Sequence, residues 1–72
     1  MSRLRGIKGE KAIEAFVRAG GKRRKGKGDH INVKMPNGQI VTIPGNKELK
    51  IGLLKAAIRK AGLTEKKFLE LL

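Results

Sequence analysis

The chain has 72 residues, with 18 Lys and Arg against 6 Asp and Glu, a formal net charge of +12, one His and no Cys. That length supports one small domain, read here as a single unit over residues 1–72. The lack of cysteine excludes a disulfide framework, and with a lone His it excludes a Cys/His zinc site, so neither a metal nor another cofactor is expected.

No apolar run is long enough to span a bilayer, and the N-terminus lacks the apolar stretch of a secretory signal. No membrane partner is expected, and a cysteine-free chain fits a reducing cytoplasm, the expected location. The charge instead points to a polyanion, with RNA as the expected partner.

The first predicted helix runs from about Gly9 to Ala19, where Ala12, Ile13, Phe16 and Val17 form one apolar stripe. Glu10 in its first turn and Arg18 in its last match the helix dipole, and Glu14 and Arg18 make a favourable i,i+4 pair. Gly20-Gly21 stops it through a left-handed cap. Residues 22–28, Lys-Arg-Arg-Lys-Gly-Lys-Gly, show no apolar alternation and read as either a flexible loop or a short edge strand.

A hairpin is predicted next. Ile31, Val33 and Met35 alternate with His30, Asn32 and Lys34, and Pro36-Asn37-Gly38 signals a turn before Gln39 to Ile43 returns. A two-residue turn would mix apolar and polar partners on both faces. A three-residue loop with Gly38 left-handed pairs Val33 with Val41 and Ile31 with Ile43, and collects the apolar side chains on one face. That register leaves His30, Asn32, Lys34 and Thr42 on the wetter face.

Pro44-Gly45-Asn46 closes the strand. A second helix is predicted over about Lys50 to Ala61, with Leu53, Leu54, Ala57, Ile58 and Ala61 inward, ended by Gly62. Thr64 then caps a short third helix, in which Leu63 and Phe68 fit a hydrophobic staple and Leu71 and Leu72 complete the apolar side.

Few residues can carry chemistry. Gly21 to Gly28 nearly spells a phosphate-binding P-loop, but Gly28 stands where Ser or Thr must hold magnesium, and a helix precedes it instead of a strand. Ser2 is the only serine and is read as lying in a frayed terminus, so no Ser-His-Asp triad is expected. Glu10 and Glu14 read as helix-start acids.

What remains is the placement of His30 beside the six cations between Arg18 and Lys27. A neutral imidazole near a gripped phosphodiester can act as general base on a ribose 2′-hydroxyl, while Lys or Arg stabilises the charged transition state without a metal. With no second His and no Tyr, a lysine or solvent must protonate the leaving oxygen. The candidate RNA-binding residues are Lys22, Arg23, Arg24, Lys25, Lys27 and Lys34. Phe16 and Phe68 belong to core stripes, so base stacking is not expected, and recognition should be phosphate-dominated and salt-sensitive. A different class of reading also fits these residues: a non-catalytic basic RNA-binding protein for which His30 is incidental.

Gly28-Asp29-His30 opening an alternating strand is followed by Pro36-Asn37-Gly38, Val41-Thr42-Ile43-Pro44, and Ile51-Gly52-Leu53 leading a helix that ends Ala61-Gly62-Leu63. This order resembles the HicA family of toxin–antitoxin ribonucleases, and the resemblance covers nearly the whole chain. It implies an α+β fold similar to a double-stranded-RNA-binding domain, of α-β-β-β-α order. In such a fold two helices pack on one face of a three-stranded antiparallel sheet, with a short C-terminal helix added. It also implies a metal-independent mRNA interferase held in check by a HicB-type antitoxin. The catalytic histidine of the family's Gly-Ser-His element carries over to His30 alone. Asp29 stands in place of the usual serine, Asn46 where a second histidine often follows the proline, and Leu53 in place of a frequent threonine.

Overall fold

The computed structural model describes residues 3–72. Ser2 therefore lies outside the described residues. The elements run α1 (Gly9–Arg18), β1 (Lys22–Lys25), β2 (His30–Lys34), β3 (Ile40–Pro44), α2 (Ile51–Lys60) and α3 (Glu65–Leu71). The strands form one antiparallel sheet in the order β1-β2-β3. This is the expected α+β arrangement.

Strand alternation decides where the core sits. Val33, Met35, Val41 and Ile43 are buried, while their neighbours Lys34, Ile40 and Thr42 are exposed. One sheet face is thus covered and the other open. Against the covered face lie Ala12, Ile13, Ala15 and Phe16 of α1 and Leu54, Ala57 and Ile58 of α2, all buried. Phe68 of α3 is fully buried, and its ring meets that of Phe16 with centroids 5.1 Å apart at 47°. Such tilted pairs add about 0.5–1.5 kcal/mol to the burial of the rings themselves.

The hairpin register is the expected one: Ile31 pairs with Ile43, Asn32 with Thr42 and Val33 with Val41. Gly38 has φ 86°, the left-handed conformation that glycine adopts without strain. Its N–H donates to the Met35 carbonyl at 2.9 Å, and the Met35 N–H donates to the Gln39 carbonyl at 2.8 Å. The three-residue loop follows from those two bonds. Thr64 also caps as expected, its Oγ1 accepting from the Lys67 N–H at 3.1 Å.

Of the two readings of residues 22–28, the edge strand is the one that forms, over Lys22–Lys25. All four of its residues are exposed, so backbone pairing with β2 holds it there in place of side-chain burial. Alternation separates successive cations onto opposite faces, although the pairing also sets Lys22 directly across from Lys34.

Three apolar residues expected inside are not. Val17 is 40% exposed, Leu53 43% and Leu72 44%. With about 100° between successive helical residues, the buried arc of α1 is completed by Ala15, and Val17 falls beyond its edge. Leu53 likewise sits at the border of the arc made by Leu54, Ala57 and Ile58.

The N-terminal segment carries a link that periodicity did not reveal. The Leu49 N–H donates to the Ile7 carbonyl and the Gly9 N–H to the Lys47 carbonyl, both at 2.8 Å, around a bridge between Lys8 and Glu48. These bonds tie the start of α1 to the segment before α2, and Leu4, Ile7 and Leu49 are buried there. Gly9 packs directly on the Pro44 carbonyl, a contact with no room for a Cβ.

Candidate active site and nucleic-acid interface

His30 opens β2 at the end of a tight connection from β1. The Gly26 N–H donates to the His30 carbonyl at 2.9 Å and the His30 N–H to the Lys27 carbonyl at 3.0 Å, which fixes the backbone on both sides of the ring. The Asp29 carbonyl accepts from the Gly45 N–H at 2.8 Å and anchors the same corner to the end of β3.

The imidazole is 53% exposed, with Nδ1 3.3 Å from the Lys27 carbonyl and 3.8 Å from Asp29 Oδ1. A carbonyl oxygen only accepts, so the closer contact is a hydrogen bond only in the tautomer that carries its proton on Nδ1. That tautomer leaves Nε2 with a free lone pair. The Asp29 carboxylate is too distant for a hydrogen bond to the ring and becomes an ion-pair partner only when the imidazole is protonated.

The register sorts the cationic run into two groups. Lys22 pairs with Lys34 and Arg24 with Asn32, so both stand on the open face with His30. Arg23 pairs with Val33 and Lys25 with Ile31, whose side chains belong to the covered face. Arg23 accordingly turns to α1, where its Nη2 lies 3.3 Å from Glu10 Oε1. Lys27 occupies the connection itself. Lys22, Arg24 and Lys34 border a shallow groove with Gly20, Met35 and Pro36. Four residues along β2 separate Lys34 from His30, about 13 Å at the usual rise per residue. Such a spacing suits an extended polyanion lying along the face better than one small anion.

The polar centre of the open face is Asn32, whose Oδ1 accepts from Thr42 Oγ1 at 2.7 Å. Sequence reasoning put both residues on this face but gave neither a task. Their opposition in the three-residue-loop register was the available signal. Asn46 is exposed two residues beyond Pro44, the partner of His30 in register.

Residues 9–63 match the family model described as the HicA toxin of bacterial toxin–antitoxin systems. The chain belongs to the HicA toxin family. The match includes all three strands, α1 and α2, and thus His30 with its whole open face. No curated protein matches the chain. Membership makes this HicA protein the toxin side of a toxin–antitoxin pairing. Among its described residues no helix is long and apolar enough to cross a membrane.

Proposed function

We propose that the chain, as one HicA-like domain acting in the cytoplasm, is an endoribonuclease that cleaves mRNA without a metal, with His30 as general base. One observation carries the reading: an exposed imidazole with its Nδ1 3.3 Å from the Lys27 carbonyl, on the same sheet face as Lys22, Arg24 and Lys34. The tautomer that donates from Nδ1 to that carbonyl leaves Nε2 to take a proton.

RNA lies along the open face, held through its phosphates. His30 Nε2 removes the proton of a ribose 2′-hydroxyl, and the 2′-oxygen bonds to the adjacent phosphorus. The bond from phosphorus to the 5′-oxygen breaks, and that oxygen leaves with a proton from a lysine or solvent. The products are a 2′,3′-cyclic phosphate and a free 5′-hydroxyl. Charge that grows on the non-bridging oxygens meets the surrounding cations. Lys25 and Lys27 strengthen the field from the covered side and the connection, and Arg23 contributes least because Glu10 neutralises it. A HicB-type antitoxin, acidic where it meets this face, blocks access.

The alternative, a non-catalytic RNA binder, draws on Asp29, whose carboxylate stands beside the ring and repels a phosphate. The two readings separate when pure protein is incubated with mRNA in EDTA. Cleavage to cyclic-phosphate ends by the wild type, lost in His30→Ala, supports the enzyme. Equal cleavage by both proteins, or intact RNA with both at high protein concentration, overturns it.

A further inference from the structure

Asn32 has a second polar atom that the mechanism above leaves unused. Because Oδ1 takes the Thr42 hydroxyl, the amide nitrogen points the other way, toward β1. A Cβ built on Gly26 would sit 3.4 Å from Nδ2 and 2.9 Å from the His30 carbonyl oxygen. The His30 carbonyl is what requires glycine there, and the amide nitrogen lies beside the same position. His30 precedes Asn32 by two residues on the same face, about 7 Å away along the strand, and Arg24 is its register partner on the other side. Among the described residues no acceptor is paired with Nδ2.

We infer that Asn32 is a catalytic residue of the cleavage reaction, acting on the transition state more than on the bound substrate. Its Nδ2 donates to a non-bridging oxygen of the phosphate attacked beside His30, and Thr42 is the positioning residue that holds the amide in that orientation. The inference rests on the ribonuclease reading above. A short amide locked by a 2.7 Å bond is a more rigid donor than the long side chains of Arg24 and Lys34. Preorganised donors gain most where charge develops in the transition state. A nucleobase is the poorer fit, because asparagine reads adenine by using its oxygen and nitrogen together. Here Thr42 takes one of the two lone pairs of that oxygen and holds it toward β3, which leaves it less available to meet a base together with Nδ2.

The test compares wild type, Asn32→Ala, Asn32→Asp, Thr42→Val and Thr42→Ser in single-turnover cleavage of one RNA at saturating protein. Affinity is measured in parallel on the same RNA with a 2′-deoxy nucleotide at the cleavage site, which cannot react. Asn32→Ala should slow cleavage about tenfold or more, while affinity for the uncleavable RNA changes by less than about threefold. Asn32→Asp keeps the Thr42 bond and the side-chain shape, removes the donor, and should be slower still. Thr42→Val should give an intermediate loss that Thr42→Ser restores, and melting temperatures establish that each variant is folded.

If wild type cleaves and both Asn32 variants cleave at its rate, the inference falls and the ribonuclease reading stands. The same holds if the substitutions weaken affinity for the uncleavable RNA without slowing the saturated rate, or if the preferred cleavage sequence changes without a loss of rate. Intact RNA with wild type itself removes the ribonuclease reading and this inference together.

Discussion

Arg23 reaches back across the edge of the sheet to Glu10 of α1, with 3.3 Å between Nη2 and Oε1, while its neighbour Arg24 stands on the opposite, open face. Adjacent arginines in one basic run thus meet different surroundings. One closes an ion pair that ties β1 to α1, and the other is free to meet a phosphate.

Their substitutions should therefore differ in kind. Arg24→Ala is expected to weaken RNA binding for all sequences alike and to flatten the slope of log affinity against log salt by about one unit. Arg23→Ala should leave that slope nearly unchanged. Its effect is on stability, and both side chains of the pair are about half exposed, so the loss should stay below about 1 kcal/mol. Salt titrations of RNA binding, together with urea unfolding of both variants, check this. Equal flattening by the two substitutions would remove the division of the run between faces.

Gly9→Ala should be among the most damaging small substitutions in the chain. The added methyl would run into the Pro44 carbonyl and the adjoining Gly45 backbone, which no rotamer change can relieve. Overpacking of this kind typically costs about 1–3 kcal/mol, a large share of the stability of a small domain. A urea midpoint equal to that of wild type would show that the start of α1 does not pack on the end of β3 as described.

Asn37 joins the hairpin to α2. Its Nδ2 donates to the Lys60 carbonyl and its Oδ1 accepts from the Gln39 N–H, both at 3.0 Å. Asn37→Ala leaves the last carbonyl of α2 uncapped and loosens the turn that sets the β2–β3 register, for an expected loss of about 1–2 kcal/mol. Thermal unfolding measures it. RNA binding well below the melting temperature should hold, since Asn37 lies at the opposite end of β2 from His30.

Local pattern was enough for much of this molecule. The apolar stripes of both long helices apart from Val17 and Leu53, the glycine stops and the Thr64 cap depend on residues a few positions apart, and the structure contains each. The hairpin register was equally legible, because only a three-residue loop with Gly38 left-handed gathers Ile31, Val33, Val41 and Ile43 on one face. His30 came to the open side by the same period of two.

Contacts between distant segments were not legible in this way. Whether residues 22–25 pair or stay loose depends on an unsatisfied edge of β2, not on their own side chains, and that pairing alone sends Arg23 to Glu10 and leaves Arg24 beside Asn32. The clasp between Ile7–Gly9 and Lys47–Leu49, the exposure of Val17 and Leu53, and the orientation of the Asn32 amide share one cause. A periodic sequence says which side of an element is apolar, whereas only the packed chain determines how wide an arc is covered and which polar atom finds a partner across the fold.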